Sequence, residues 1–384
     1  MLKIRVRIKF AATLQINRDI KSTLQSLVLT LELFLSIITL VLYHTKVRGE
    51  KMKNLTLHTP EGVRDIYNSE YEQRLDALYN LRKCFKDAGY MPISTPTFEY
   101  FDTFSKEVGS CKSNEMFKFF DRDGNTLVLR PDITPSVARA AAMYFSDIDE
   151  AVKLSYEGNV FINYHSLQGR LKESTQAGCE FIGDSSVDAD AEVLTIVVNA
   201  LKKLGLKEFE IGVGHFDVVR GLIEAANLNE AQEEKLIDLI SNKNFFGAKE
   251  LLEQADVSKG LIELFDITGK IMNSPKEWAS YLDKAKKYKK VYDALEYLTK
   301  LYELLNKNGV MDYISFELGM ISEYKYYTGI IFTGYSYGVG EPLVKGGRYD
   351  TLLSHFGKEA PAIGFAITVD QLMLALKRLR FDEV

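Results

Sequence analysis

Residues 327–335 read YTGIIFTGY, and this stretch sets the expectation for the fold. Its β-branched and aromatic residues, interrupted by glycines, are typical of a β-strand. Three segments far from it in the chain have a similar composition: LVLR at 127–130, EFEIGV at 208–213 and YISFEL at 313–318. They do not alternate regularly with helices, as the strands of a doubly wound parallel sheet would. The sequence therefore predicts an α+β fold with a largely antiparallel sheet flanked by helices.

Two stretches have helical periodicity. Residues 71–88 place apolar residues along one side of a predicted helix and charges elsewhere, the apolar ones being Leu75, Leu78, Leu81 and Phe85. Residues 227–309 are highly charged and nearly free of glycine, and near their end apolar residues recur at intervals of four and three: Val291, Leu295, Leu298, Tyr302 and Leu305. We interpret residues 227–309 as a helical insertion into a sheet domain built from residues 52–226 and 310–384.

Charge is divided unevenly along the 384 residues. Residues 1–51 have nine Lys and Arg against three Asp and Glu, whereas residues 52–384 have 39 against 50, a net charge of −11. An acidic body of this kind is a poor electrostatic match for a phosphate backbone, which weakens a tRNA-binding interpretation. The three cysteines and five histidines have none of the close spacings of metal or redox sites. We therefore predict no metal and no cofactor, and a reducing compartment such as the cytoplasm.

The first 51 residues differ from the remainder. Residues 27–43, LVLTLELFLSIITLVLY, are apolar except for Glu32 and a few hydroxyls, and a basic run precedes them. A stretch of this length is at the short limit for spanning a bilayer, and Glu32 opposes insertion by about 2–3 kcal/mol. The alternative, which we favour, is an over-extended reading frame, because Met52 begins a sequence typical of the start of a cytosolic protein.

Asp132 and Thr134 belong to the segment LRPDITP at 129–135. On an extended strand, residues two apart face the same way, so this carboxylate and hydroxyl could jointly accept hydrogen bonds from an ammonium group. Thr134 is equally suited to be the N-cap of the helix predicted for SVARAAAMYF. The residues alone leave both interpretations open.

Gln176 and Glu180 share one face of a predicted strand, about 13 Å apart. If buried, this amide and carboxylate would need polar partners, but taken alone the segment QAGCE fits a solvated edge strand better. Two further segments, YYTG at 326–329 and KGGRYD at 345–350, place tyrosines beside glycines that permit turns. Such tyrosines either line a pocket or pack in an aromatic core, and Arg348 beside Asp350 more often forms a structural ion pair than a phosphate contact.

Signatures of nucleotide hydrolysis and of nucleophilic catalysis are absent from the sequence. The glycines from Gly334 to Gly340 lack the spacing of a dinucleotide fingerprint, there is no phosphate-binding loop, and no Ser-His-Asp arrangement is legible. The residues themselves therefore indicate a pocket with carboxylates and tyrosines, suited to a small cationic or zwitterionic ligand.

Five segments, taken together and in order, resemble class II histidyl-tRNA synthetases over residues 55–376. TPTFE at 95–99 is similar to motif 1, and GNVFINYHSLQGRLKESTQAGCE at 158–180 occupies the place of motif 2. KYYTG at 325–329 and GGRYD at 346–350 match two histidine-specific signatures, and APAIGFAITVDQL at 360–372 is similar to motif 3. The resemblance implies a class II aminoacyl-tRNA synthetase-like core.

The chain departs from these synthetases at three positions where they have arginine. Ile162 stands at the motif 2 arginine that clamps ATP, and Gln371 stands at the motif 3 arginine that holds its γ-phosphate end. Ser322 stands at the signature arginine that acts on the carboxylate being activated. Arginine stabilises the charge of adenylation through fixed bidentate contacts, which these side chains cannot make. The chain also ends eight residues after Leu376, without the expected anticodon-binding domain, so neither ATP activation nor tRNA binding is expected.

The same comparison retains the histidine pocket of the synthetases. Asp132 stands where they have a glutamate for the α-amino group, and five other positions match the family residues outright: Thr134, Gln176, Glu180, Tyr327 and Tyr349. The resemblance implies that Glu180 and Tyr327 meet an imidazole. It also implies that Asp132, Thr134 and Gln176 hold an ammonium group. The arginines that would meet the carboxylate of the ligand are absent.

A synthetase core that keeps this pocket, and that reads LRPDIT where synthetases usually read LRPEGT, resembles the regulatory subunits of ATP phosphoribosyltransferase. The resemblance implies a non-catalytic subunit that, as a homodimer, joins a short catalytic subunit in a hetero-octamer. It also implies that the subunit is needed for activity and transmits feedback inhibition by L-histidine in the first step of histidine biosynthesis. A tenfold preference of histidine for one arrangement of the complex, about 1.4 kcal/mol, would be useful regulation.

Two rival interpretations remain. A diverged synthetase-like ligase could form an amino-acid adenylate by other means, and it would show histidine-dependent ATP–pyrophosphate exchange. A scaffold with a vestigial pocket would support the catalytic subunit without sensing histidine, and replacing Glu180 or Tyr327 would then leave feedback inhibition unchanged.

Overall fold

The structure, a computed structural model, describes residues 34–38, 57–104, 111–146, 150–164, 170–322, 324 and 326–382. The chain divides into two compact units, residues 1–65 and residues 66–384. In the first unit, residues 34–38 are helical, and the remainder of the apolar stretch at 27–43 lies outside the described residues. Within the described parts of the chain, no helix is both long enough and apolar enough to cross a membrane.

The second unit is built on a nine-stranded sheet with the strand order β1-β5-β6-β12-β11-β10-β7-β9-β8, and a separate three-stranded sheet has the order β2-β4-β3. The strands are β1 Met91–Pro92, β2 Phe98–Tyr100, β3 Lys118–Phe120, β4 Thr126–Leu129, β5 Val152–Phe161, β6 Glu173–Ile182, β7 Phe209–His215, β8 Ile271–Met272, β9 Ile314–Glu317, β10 Ile330–Ser336, β11 Val344–Arg348 and β12 Ala362–Thr368. In the large sheet, β1 pairs with β5 and β7 pairs with β9 in parallel, and every other neighbouring pair is antiparallel. The predicted α+β class with a largely antiparallel sheet is confirmed.

All four strand-like segments form strands, but one lies in an unexpected place. LVLR at 127–130 overlaps β4, which belongs to the small sheet instead of the large one. YTGIIFTGY begins its strand only at Ile330. The preceding residues lie before the strand and are held by two backbone hydrogen bonds. The amide of Thr328 donates to the carbonyl oxygen of Arg348 at 2.8 Å, and the carbonyl of Gly329 accepts from the amide of Phe216 at 2.9 Å.

Helices pack on both faces of the large sheet. They are α1 Asn68–Asp87, α2 Thr134–Tyr144, α3 Val187–Lys203, α4 Phe216–Ala226, α5 Glu230–Ser241, α6 Phe245–Gln254, α7 Lys259–Phe265, α8 Pro275–Ala285, α9 Lys289–Lys307 and α10 Val369–Asp382. Short 3-10 turns occupy Phe101–Phe104, Ser113–Glu115, Asp266–Gly269, Met311–Tyr313 and Leu353–Phe356.

The helix expected at 71–88 is present as α1, with Leu81 and Phe85 buried and Leu78 half-buried on the predicted face, but Leu75 is not part of the core. Leu75 is 46% exposed, whereas Arg74 is buried beside Ala77, Leu81 and Phe85. The guanidinium of Arg74 turns inward because it donates to Asp370 at 2.7 Å and also bonds Thr175. This helix therefore packs against the remainder of the unit through a specific polar contact as well as through its apolar residues.

The segment 227–309 is helical, as its composition predicts, with α5 to α9 in succession. The long helix α9 buries Val291, Leu295, Leu298 and Leu305, and Tyr302 is half-buried. The segment also contributes β8, which pairs with β9 at the edge of the large sheet. The division of the chain into a core and an insertion stays a prediction.

The two faces of the large sheet have different environments. Alternate residues of β6 and β12, such as Cys179 and Phe365, enter the main apolar core with α1, α3 and α4. The residues between them face the other side, where Val137 and Ala141 of α2 pack with Tyr327 and other tyrosines in a second cluster. The second face holds the candidate site.

Candidate functional site

A cavity lies on the α2 side of the sheet, over β6, β12 and β11. It encloses about 400 Å³ when the space at its solvent-open mouth is included. Sheet residues from these three strands form the floor, namely Gln176, Lys345, Gly364, Phe365, Ala366 and Thr368. The walls come from the loops and the helix above it, namely Asp132, Thr134, Tyr324, Tyr326, Tyr327 and Tyr349. Five of the six sequence-predicted site residues therefore line one cavity.

A glycine in the floor makes room for Glu180, the sixth predicted site residue. A Cβ atom on Gly364 would overlap the carboxylate of Glu180, and one on Gly178 would overlap the carbonyl oxygen of Phe365 and the hydroxyl of Tyr156. Glu180 is fully buried and is not among the lining residues. Its carboxylate lies behind the cavity wall, in the space that the missing Cβ atom of Gly364 leaves.

Asp132 and Thr134 come from the turn that enters α2. Asp132 accepts a hydrogen bond from the amide of Thr134 at 3.2 Å and another from the hydroxyl of Tyr326 at 2.9 Å. Thr134 is the first residue of the helix, Ile133 is the N-cap, and the Thr134 hydroxyl donates to Glu180 at 2.7 Å. The N-cap interpretation of Thr134 is therefore wrong. The two side chains meet at a helix entrance, and not on the extended strand from which their proximity was predicted.

Gln176 and Glu180 lie on β6, between β5 and β12 in the sheet. The solvated edge-strand interpretation is therefore wrong, because both edges of β6 are paired. The amide oxygen of Gln176 is buried and accepts no hydrogen bond within the described part of the protein. A buried acceptor without a partner costs about 1–3 kcal/mol, so a donor from a ligand would be stabilising at this point.

Burial controls the charge of Glu180. Removal from water raises the pKa of its carboxyl to about 8, although hydrogen bonds from Tyr349 and Thr134 act in the opposite direction. This folded-state pKa lies above the usual value of 4.5, so between pH 4.5 and about 8 the folded protein holds a proton on Glu180 that the unfolded chain releases. The contribution of Glu180 to stability is full below pH 4.5 and is lost as the pH rises through about 8.

Replacing this carboxyl with an amide tests that sign. Glu180→Gln removes the titration, so it should flatten the fall in the free energy of unfolding between about pH 5.5 and about pH 7.5 by roughly 2 kcal/mol. Urea unfolding of both proteins across this range measures the effect. Glu250→Gln, at an exposed position of α6, is the matched control. Parallel pH profiles for the wild type and Glu180→Gln would contradict the assignment.

Tyrosines form the roof of the cavity. Tyr326 packs edge to face against Tyr327 and Tyr349, with ring centroids 5.0 and 5.9 Å apart, and it stacks on Tyr324 at 5.5 Å. Burial raises the pKa of Tyr326, Tyr327 and Tyr349 well above the usual value, so these hydroxyls stay protonated. Tyr349 donates its hydroxyl hydrogen to Glu180. The cavity therefore presents neutral, oriented hydroxyls on aromatic walls.

Seven of the twelve described lining residues were not identified from the sequence as site residues: Tyr324, Tyr326, Lys345, Gly364, Phe365, Ala366 and Thr368. Tyr326 and Lys345 belong to the segments YYTG and KGGRYD, whose tyrosines and glycines indicated a pocket, whereas Tyr324 lies outside both segments. The signal that could have identified Lys345 is strand alternation, because it lies two residues from Gly347 and four from Tyr349.

Arg348 lies outside the site, as predicted. Its guanidinium forms a buried ion pair with Asp190 of α3 and a second one with Asp350 at 3.2 Å. It also donates to the carbonyl oxygens of Asp184 at 3.0 Å and Ser186 at 3.3 Å. The interpretation of Arg348 as a structural ion-pair residue is confirmed.

The three positions that replace synthetase arginines do not line the cavity. The amide of Ile162 donates to the carbonyl of Lys172 at 2.9 Å just after β5, and the Ser322 hydroxyl accepts from the amide of Tyr324 at 3.0 Å. Gln371 is on α10 and is half-buried. Of the cavity-lining residues that the structure describes, Lys345 alone is cationic. Among the described residues, no group of three or more His, Cys, Asp and Glu could hold a metal ion.

Comparison with known proteins identifies the family. The family model for histidyl-tRNA synthetase matches residues 62–372. The ATP phosphoribosyltransferase regulatory subunit of Acetivibrio thermocellus is 39% identical over 86% of this chain and 79% of its own length, and that of Caldanaerobacter subterraneus is 38% identical over 84% and 83%.

Solved structures agree with this comparison. The ATP phosphoribosyltransferase regulatory subunit/histidyl-tRNA synthetase of Bacillus halodurans has a TM-score of 0.75 at 34% identity, over 83% of each chain. Histidyl-tRNA synthetase from Nostoc shares the fold, with a TM-score of 0.70 at 21% identity over 84% of this chain and 75% of that one. This chain, with its histidyl-tRNA synthetase-like fold, therefore belongs to the family of the non-catalytic regulatory subunits of ATP phosphoribosyltransferase.

Proposed function

We propose that this chain senses L-histidine, that the short catalytic subunit of ATP phosphoribosyltransferase needs it for activity, and that it passes feedback inhibition to that subunit. The main support is the cavity, in which a carboxylate, a hydroxyl and a buried amide oxygen converge below tyrosine walls. Such a site suits a small ligand that has an ammonium group and a flat ring.

The ammonium group fits between Asp132, Thr134 and Gln176. Asp132 contributes the negative charge, and the hydroxyl of Tyr326 together with the amide of Thr134 holds its carboxylate in place. Thr134 donates its hydrogen to Glu180, so its oxygen can still accept one from the ligand. The amide oxygen of Gln176 provides the third acceptor. An ammonium group has three donors, which matches these three acceptors.

The imidazole fits against Tyr327 and Tyr349. Both rings belong to the buried tyrosine cluster, so they provide aromatic contact area with hydroxyl groups at their ends. Glu180 accepts the hydroxyl hydrogen of Tyr349 and so holds that side chain in place, which leaves the hydroxyl oxygen to accept a hydrogen bond from the ligand. In this arrangement Glu180 affects histidine binding indirectly, through Tyr349 and Thr134, and Tyr327 contacts the imidazole directly.

Regulation requires only that histidine bind one arrangement of the complex better than another. A ligand with equal affinity for two states does not change the equilibrium between them. A tenfold difference in affinity, about 1.4 kcal/mol, changes that equilibrium tenfold. The cavity is lined by β6, β11, β12 and the start of α2, so a bound ligand would stabilise one relative position of these elements.

Phosphoribosyl transfer by the short catalytic subunit from the same organism, with and without this chain, tests the proposal. We expect activity to rise when this chain is added and to fall again as L-histidine is titrated. The chain alone should show background ATP–pyrophosphate exchange with histidine present. A catalytic subunit that is equally active without this chain would refute the proposal, and histidine-dependent exchange would favour the ligase interpretation instead.

Homodimerisation within a hetero-octamer is a further part of the proposal. The small sheet next to the motif 1 segment exposes large apolar residues: Phe98 and Tyr100 are 53% and 57% exposed, and Phe120 is 72% exposed. Apolar patches of this kind mark interfaces more often than free surface. We propose a second copy of the chain as the occupant, as the resemblance to class II synthetases implies. Light scattering should then give twice the chain mass of 43.6 kDa.

A cytoplasmic location also belongs to the proposal. The similarity to subunits of a biosynthetic enzyme supports it, and cell fractionation that recovered this chain with membranes would contradict it.

A further inference from the structure

We infer that Lys345 binds the carboxylate of the amino-acid ligand and so makes the cavity selective for an α-amino acid over the corresponding amine. This inference rests on the proposed histidine-binding function. It addresses the one group of the ligand for which the resemblance to synthetases supplies no partner.

Strand alternation directs Lys345 toward the cavity. A Cβ atom on Gly346 would meet the ring of Phe332, which belongs to the main core, whereas one on Gly347 would meet the ring of Tyr327 on the cavity side. Residues 345 and 347 share one face of β11, since successive side chains of a strand point to opposite faces. The side chain of Lys345 therefore extends along the cavity floor, and its ammonium nitrogen lies 5.4 Å from the ring centroid of Tyr324.

The charges of the cavity are separated in a way that fits a zwitterion. Lys345 is opposite Ala366 of β12, which in turn is opposite Gly178 of β6, so β11 and β6 are two strands apart. Two strand spacings amount to about 10 Å between backbones. Gln176, one of the proposed ammonium acceptors, is on β6, and Lys345 is on β11, with Ala366 and Thr368 of β12 in the floor between the two strands. The two charged groups of an α-amino acid share one carbon, so an ammonium group held beside Gln176 and Asp132 leaves its carboxylate to be met by the flexible side chain of Lys345.

Lys345 is available for this contact. Its side chain is exposed at the cavity and, apart from the ring of Tyr324, it makes no hydrogen bond or ion pair within the described residues. A lysine has three rotatable donors on a flexible stem, so it can meet a carboxylate without fixed bidentate geometry. The synthetase positions that hold arginine do not line the cavity here, so Lys345 is the described lining cation that can make this contact.

Calorimetric titration of the complex of this chain with its catalytic subunit tests the inference, with L-histidine and histamine as the two ligands. Histamine has the imidazole and the ammonium group but lacks the carboxylate. Lys345→Met keeps most of the stem and removes the charge. We expect it to weaken L-histidine binding about tenfold or more, because it removes a charge-assisted hydrogen bond to the carboxylate, and to leave histamine binding within about twofold.

Two further variants control the result. Lys276→Met removes an exposed lysine of α8 and should change neither affinity. Lys345→Arg keeps the charge and should recover part of the histidine affinity. Unchanged histidine binding by Lys345→Met, or equal losses for both ligands, would overturn the role of Lys345 while leaving histidine sensing intact. Failure of the wild-type complex to bind histidine at all would instead refute the proposed function, and the assignment of Lys345 with it.

Discussion

Replacing Asp132 with asparagine is expected to lower the affinity for L-histidine about a hundredfold, because it removes the negative charge that faces the ammonium group. Truncating one partner of a buried, hydrogen-bonded charge pair costs about 2–5 kcal/mol, and each 1.4 kcal/mol is tenfold. Asp132 is only 6% exposed, and its carboxylate is held by Tyr326 and by the amide of Thr134. Asparagine can keep the contact with Tyr326, so the loss should appear mainly in ligand binding.

Calorimetry and the histidine titration of phosphoribosyl transfer should change together in Asp132→Asn. Asp312→Asn, at an exposed position after α9, is the matched control and should behave as wild type. If Asp132→Asn keeps the wild-type affinity, the ammonium site lies elsewhere. If affinity is lost while feedback inhibition persists, the cavity is vestigial for regulation and the chain acts as a scaffold.

The second large effect is expected at Arg348. Replacing it with methionine leaves the carboxylate of Asp190 buried without its cation, and breaking a buried pair in this way costs about 3–5 kcal/mol. Asp190 is fully buried, and its other described partner is the hydroxyl of Tyr297 on α9, at 2.6 Å. We therefore expect Arg348→Met to lower the free energy of unfolding by about 3–5 kcal/mol.

Urea unfolding with Arg82→Met as the control isolates the effect of burial. Arg82 also makes a bidentate contact, donating to both oxygens of Glu157 at 2.8 and 2.7 Å, but the two side chains are 59% and 36% exposed. Exposed pairs contribute about 0–1 kcal/mol, so Arg82→Met should have little effect. Similar losses for the two variants would show that Arg348 contributes no more than a surface ion pair.

Local patterns in the sequence were sufficient for several parts of the structure. The strand segments at 208–213 and 313–318 and the apolar face of α9 follow from composition and spacing, which depend only on neighbouring residues. The ion pair of Arg348 with Asp350 follows in the same way. The pocket residues needed the family resemblance, because an isolated Gln176 or Tyr327 has equally good structural explanations.

Other features depend on contacts between distant parts of the chain. Leu75 was expected in the core by its spacing, but it is 46% exposed, whereas the neighbouring Arg74 is buried and contacts Asp370, 296 residues away. For Thr134 the local pattern left a helix cap and a ligand contact equally open, and its hydroxyl instead donates to Glu180, 46 residues away. Such contacts are invisible to patterns read over a few residues.

By itself, the sequence determined the α+β class, the strands within 208–213, 313–318 and 327–335, and the helical character of residues 71–88 and 227–309. Only the tertiary structure decided that β6 is an interior strand, that Glu180 lies behind the cavity wall, and that Lys345 is part of the floor. The physical reason is that the alternation of side chains is local, whereas burial depends on which strands become neighbours. The same strand pattern would be solvated at a sheet edge but is removed from water in the interior of the sheet. There, burial raises the pKa of the Glu180 carboxyl to about 8.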